Sequence, residues 1–203
     1  MGVKERRERQ KEVLRQEILD AARELFVKEG YKNVSMRKVA DKIEYSPTTI
    51  YLYFKDKTDL LHCLCEETFA KLLSRLEAIG HDHRDPIDCL KKGLRAYIEF
   101  GLKHPNHYKV TFINHPAQDM EPERFLYEGS TGQKAFNYLR TQVEECVKQK
   151  KFRNVDVETT SQALWAAIHG ITSLLIVKIR FPWVEKNKLI DHLINTMIEG
   201  LKA

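Results

Sequence analysis

Apolar residues recur every three or four positions along almost the whole chain, and no stretch of useful length alternates apolar with polar. The first period belongs to an α-helix, whereas a half-buried strand needs a period of two. The chain is therefore read as all-α, with about nine helices. The first carries Leu14, Ile18, Ala21, Ala22, Leu25 and Phe26 and stops at Gly30, the residue best suited to a left-handed helix end. Ser35 is placed to cap a short helix bearing Met36, Val39, Ala40 and Ile43. After a turn at Glu44-Tyr45-Ser46, Ser46 caps and Pro47 opens a second short helix reaching Tyr53. Longer helices are predicted from Lys57 to Ile79, from Asp85 to Lys103, from Glu123 to Lys151 with a break at 129–132, and from Asp156 to Ile179. A short one follows His104-Pro105, and a last one carries Leu189 to Leu201. Loops are expected at 80–84 and 114–122.

A chain of 203 residues, 42% apolar and 31% charged, can bury a core without covalent staples. Its net charge is +5, of which residues 1–57 supply +4. That concentration favours an anionic partner at the N-terminal quarter. Cys63, Cys65, Cys89 and Cys146 form no CxxC pair and read as free thiols in a reducing compartment. The longest apolar run, Ala163 to Val177, is shorter than a bilayer span and contains His169. The charged start, Met1 to Arg9, is not a secretory signal. A cytoplasmic protein with no membrane partner is expected. Catalysis has little to stand on. There is no Gly-x-Ser-x-Gly elbow and no dinucleotide glycine pattern, and Gly129 to Lys134 has the wrong spacing for a phosphate loop. Neither an enzyme nor a cofactor is expected.

Residues Ser35 to Lys57 form the segment with the clearest chemistry. Two short helices around a tight turn make a helix-turn-helix. The second must present hydrogen-bonding groups outward, and Thr48, Thr49, Tyr51 and Tyr53 supply them while Ile50 and Phe54 face inward. Lys57, with the first N–H groups of the next helix, offers a place for a phosphate. Arg37 can reach a phosphate or a guanine edge. A surface helical hairpin with aromatic core residues is the plain alternative on periodicity alone.

The run Ile18-Leu19-Asp20-Ala21-Ala22-Arg23-Glu24-Leu25-Phe26, then Gly30-Tyr31, Val34 to Ala40, Ser46 to Lys57 and Leu60-Leu61, resembles the DNA-binding domain of the TetR family of bacterial regulators. The resemblance implies a DNA-binding domain over 1–57, with a basic arm at 1–11, and a helical effector-binding and dimerisation domain over 58–203. It implies that the helix from Pro47 enters the major groove. Thr48 and Thr49 fall at positions for base and backbone contact, Tyr51 and Tyr53 at phosphate positions, and Lys57 at a backbone-gripping lysine. Ser35 is implied as a phosphate contact and Arg37 as a phosphate or base contact. Thr48 stands where the family often has glycine, which bears on docking depth. The arm carries Lys4, Arg6, Arg7, Arg9 and Lys11 among Glu5, Glu8 and Glu12; it reads equally as a minor-groove arm or a solvated tail.

In the C-terminal part, the helix from Asp156 is apolar on nearly every face, which is the mark of a helix buried all round. Its neighbours are found most easily in a second subunit. A two-fold four-helix contact is expected, with Leu164, Ile168, Ile171, Leu175, Leu193 and Met197 at the interface and Ala163, Ala166, Ala167, Gly170 and Ser173 allowing close approach. Trp165-Ala166-Ala167-Ile168-His169-Gly170, with His104-Pro105 and Tyr108, resembles the TetR C-terminal type named for Trp, His and Gly. Tyr97, Phe100, Tyr108, Phe112, Trp165 and His169 are the candidate lining of an effector pocket, with His169 either a ligand contact or a buried core histidine. The expected partners are an operator in double-stranded DNA, a second copy of the chain, and a hydrophobic or amphipathic small molecule that releases a repressor. The alternative is a metal- or thiol-responsive regulator using Cys63 and Cys65 near His62, or His81 and His83. Cys63 and Cys65 are two apart on a helix and cannot easily share a metal, so no metal site is assigned.

Overall fold

The computed structural model describes residues 2–79, 85–114 and 129–203, and among these there is no β-strand. The helices are α1 (Val3–Glu29), α2 (Met36–Lys42), α3 (Pro47–Tyr51), α4 (Lys57–Ile79), α5 (Pro86–Lys103), α6 (Pro105–Tyr108), α7 (Thr131–Lys148), α8 (Val157–Val177) and α9 (Lys186–Glu199). A 3-10 turn spans Tyr31–Asn33, and a π-helical turn over Lys109–Ile113 follows α6. The all-α expectation holds, and the caps fall where the sequence put them. Ser35 accepts from Lys38 N, Ser46 from Thr49 N, Asp85 from Ile87 N and Asp156 from Thr159 N. The expected loops at 80–84 and 115–122, and the helix start at Glu123, lie outside the described residues.

The described residues fall into two compact units. The first comprises 2–68 and 106–114, and the second 69–79, 85–105 and 129–203. In the first, Ile18, Ala22, Phe26, Val39, Ala40, Ile50, Phe54 and Leu60 are buried almost completely. Each large side chain among them contributes about 1.5–3 kcal/mol on leaving water. An ionic link supplements this core. Arg23, only 8% exposed, holds Asp20 of its own helix at 2.5 Å and Glu67 of α4 at 2.6 Å.

α7 ends at Lys148 and α8 at Val177, short of the expected Lys151 and Ile179, and two further boundaries differ from the sequence reading in the first unit. The basic segment before Leu14 is neither an irregular arm nor a tail, because α1 runs unbroken from Val3. α3 stops at Tyr51 rather than Tyr53, because Tyr53 N turns back to Ile50 O at 3.0 Å and closes a tighter turn.

In the second unit α5 packs against α7, α8 and α9. Gly93 permits the approach to α7: a Cβ there would lie 3.0 Å from the Tyr138 ring. Arg95 pairs with Asp191, and Lys91 bonds Asn195 at 2.8 Å, which ties α5 to α9. α8 is long and apolar enough to cross a membrane by length and composition, but its buried side packs against α5 and α7 as a core helix does. Leu164, Ile168, Ile171 and Leu175 are each at most 9% exposed within the single chain. They fill the subunit's own core. The opposite side of α8, with Ala163, Ala166, Leu174 and Val177, is the exposed one. Leu193 and Met197 on α9 are half-buried.

Candidate functional site

The turn between α2 and α3 is built by backbone geometry. Tyr45 N bonds Ala40 O at 3.0 Å, and Glu44 takes φ = 60° to make the reversal. Val39, Ala40 and Ile50 face the core, which leaves the other side of α3 in solvent. Thr48 is exposed and Thr49 half-buried. Thr49 Oγ1 lies 2.9 Å from Ser46 Oγ, so its hydroxyl is already held in place. Tyr51 is 55% exposed, and Tyr53 is half-buried. Arg37 is exposed and has no ion-pair partner among the described residues. Ser35 is exposed, and its oxygen is occupied as the α2 cap while its proton stays free to donate.

Lys57 is placed differently from the sequence reading. Its Nζ donates to Tyr31 O at 2.8 Å and sits 4.1 Å from the Tyr31 ring centroid. Burial pushes its pKa down from the usual lysine range. Here it pins the 3-10 turn to the start of α4. The N–H groups there are partly taken too. Asp56 Oδ1 accepts from Asp59 N at 2.8 Å, and Asp59 Oδ2 accepts from Lys55 N at 2.9 Å. Two carboxylates at that helix start work against a phosphate.

Two features escaped the sequence reading. Leu52 is 76% exposed beside Tyr51, an apolar contact group at the end of α3. Its spacing of two from both Ile50 and Phe54 already put it off the inward face. Arg15 lies 5.4 Å from the centroid of the Phe54 ring. Lys4, Arg7, Lys11 and Arg15 recur at helical spacing, so a basic stripe on α1 leads to that point.

The six candidate effector residues divide between the units. Tyr108 and Phe112 stack at 4.8 Å between ring centroids in the first. Tyr97, Phe100, Trp165 and His169 belong to the second, where His169 forms a polar cluster. Tyr97 Oη is 3.4 Å from Nδ1, and Ser173 Oγ is 3.3 Å from Nε2. Burial holds the His169 pKa below the usual imidazole range, so the ring is neutral there. Trp165, 39% exposed, packs against Phe136 with ring centroids 6.2 Å apart. Phe100 is buried and touches His104, ring to ring, at 5.1 Å.

Among the described residues no three His, Cys, Asp or Glu side chains cluster to hold a metal, and His81 and His83 lie outside them. Cys63 is half-buried and Cys65 fully buried. Burial raises the Cys63 thiol and pushes Cys65 and Cys146 up to about 12, which keeps them protonated and unreactive.

Residues 18–64 match the family described as "Bacterial regulatory proteins, tetR family", and residues 90–199 match "Tetracyclin repressor-like, C-terminal domain". An HTH-type transcriptional regulator of Staphylococcus aureus strain MRSA252 is 28% identical over 90 residues, 44% of this chain and 49% of that protein. One from strain bovine RF122 / ET3-1 is 29% identical over 88 residues, 43% and 48%. The chain thus spans about half the length of the curated relatives it matches. Among solved structures, the TetR family regulator PfmR from Thermus thermophilus superposes with TM-score 0.74 at 20% identity, over 92% of this chain and 99% of that one. FadR from Bacillus subtilis, solved with stearoyl-CoA, gives 0.77 at 20% identity over 92% and 98%.

Proposed function

Because this chain belongs to the TetR family of bacterial regulators, a DNA-binding transcription regulator by family, we propose that it is a cytoplasmic, homodimeric repressor released from a palindromic operator by a hydrophobic or amphipathic small molecule. The observation that carries this is α3. It is a five-residue helix capped at Ser46, anchored by Ile50 and presenting Thr48, Tyr51 and Leu52 to solvent, near an exposed Arg37 that makes no ion pair among the described residues. α3 enters the major groove. Arg37 and Thr48 read base edges or phosphates there, and Ser35, Thr49, Tyr51 and Tyr53 fix register on the backbone. Lys57 acts by holding the Tyr31 turn, and it reaches a phosphate only after leaving Tyr31 O. The α1 extension adds phosphate contacts through Lys4, Arg7 and Lys11.

The effector is proposed to bind in the second unit beside Tyr97, Trp165 and His169, where the His169 ring meets Tyr97 Oη, Ser173 Oγ and the Trp165 ring. Its differential affinity for two conformers of the dimer would set the spacing of the recognition helices, about 34 Å on successive grooves. The Trp-His-Gly subtype rests on Trp165, His169 and Gly170. No catalytic role is proposed. Metal or thiol sensing is the weaker reading, since Cys63, Cys65 and Cys146 sit in surroundings that suppress thiolate.

Selection of bound duplexes from a random pool is expected to return a palindrome. Fluorescence anisotropy on that site should show both Arg37→Ala and Tyr51→Phe weakening binding. Loss of discrimination at one base pair in Arg37→Ala, worth about 1–3 kcal/mol, would mark a base contact. Only sequence-indifferent, salt-sensitive binding would sink the operator reading.

A further inference from the structure

An open groove of about 530 Å³ in the second unit differs in composition from the His169 cluster. Its lining includes Arg75 of α4, Glu99, Leu102 and Lys103 of α5, and Lys186 and Ile190 of α9. Three cations from three helices therefore converge on one concavity. Among the described residues, no carboxylate lies within ion-pair distance of Arg75, Lys103 or Lys186. Two carboxylates do border the groove, and both are engaged. Glu185 turns one oxygen to Asn187 N at 2.9 Å and the other to Lys188 N at 2.7 Å, capping α9. Glu99 pairs with Arg95 at 3.6 Å.

The three cations outnumber the two carboxylates that border the groove, and an anion from outside relieves the repulsion that remains. A neighbouring group registers the same field. His104, at the end of α5, has its pKa pushed down by burial first and then by the charges of Arg75, Lys103 and Lys71. Leu102 and Ile190 give the groove an apolar floor between the cations.

We propose that this groove is a binding site for an organic phosphate, whose phosphoryl oxygens take Arg75, Lys103 and Lys186 while its carbon portion lies on Leu102 and Ile190. The site stands on its own residues and does not depend on the operator reading or on the His169 cluster.

Inorganic pyrophosphate is the first probe, titrated into the full-length protein by calorimetry with the His104 ring followed by NMR. Saturable binding is expected. A bound anion favours imidazolium, so the His104 pKa should rise, by about half a unit or more. Arg75→Gln with Lys103→Gln should weaken binding at least tenfold and abolish the anion-induced rise, while Lys178→Gln, outside the groove, changes neither. Absence of a His104 response in the unaltered protein, or equal affinity in the double variant, would overturn the proposal. The measurement on the unaltered protein decides it even if the double variant folds poorly.

Discussion

Glu44 holds φ at 60° in the helix-turn-helix turn, a conformation that costs an L-residue about 1–2 kcal/mol and glycine almost nothing. Glycine gives back about 0.4–1 kcal/mol of that in unfolded-chain entropy. Glu44→Gly is therefore expected to stabilise the chain by about 0.5 kcal/mol, seen as a rise in Tm of about 1–2 °C by calorimetry. A second effect at this scale belongs to His169. Burial keeps the folded ring neutral at a pH where an unfolded chain takes a proton. Its contribution is intact above the unfolded value, about 6.5, and is lost as pH falls from there through the folded value. Thermal unfolding between pH 7 and 5 should show falling stability, and His169→Gln should flatten part of that slope. Residue type alone was a poor guide at Lys57. A lysine at a helix start reads as a phosphate ligand, and only its 2.8 Å bond to Tyr31 O reveals that the charge is already in use.

Elements were more legible than their partners. Capping residues and the spacing of Ile50 and Phe54 mark α2 and α3 in the sequence itself, because those signals are local. Which side of α8 meets its own subunit was not local information. Apolar residues occupy nearly every face, so periodicity could not choose between Leu164, Ile168, Ile171 and Leu175 and the side that carries Ala166 and Gly170. The α1 extension was ambiguous for a related reason: alternating Glu and Arg suit a solvated tail and an exposed helix equally well. As a helix, residues 3–17 reach about 22 Å beyond the family-matched segment that begins at Ile18. Deleting residues 1–9 should lower the slope of log affinity against log salt, by about 0.9 for each phosphate that the extension neutralises. An unchanged slope would remove the extension from the interface. Between elements, the Arg23 bridge joins α1 to α4 with little water around it. Arg23→Ala should cost about 2–3 kcal/mol, below the usual range for a fully buried pair because Asp20 stays solvated. The urea midpoint at fixed protein concentration measures it.

At the scale of the assembled molecule, the exposed side of α8 is the proposed contact between copies, with Leu193 and Met197 of α9 beside it. Gly170 tests this cleanly. A Cβ added there meets nothing within 4 Å in the single chain. Gly170→Arg should leave helix content and the core intact and shift sedimentation at micromolar concentration from dimer to monomer, with loss of palindrome binding. A dimer that survives the change would move the interface elsewhere.

The open space around Gly170 also bears on how such a chain diverges. The buried α8 positions answer to the subunit's own packing and are held by it, whereas at the proposed contact this one would answer to a partner. After a gene duplication, two copies could exchange side chains here and stop recognising each other without either losing its fold. Partner identity would then drift on a different clock from stability.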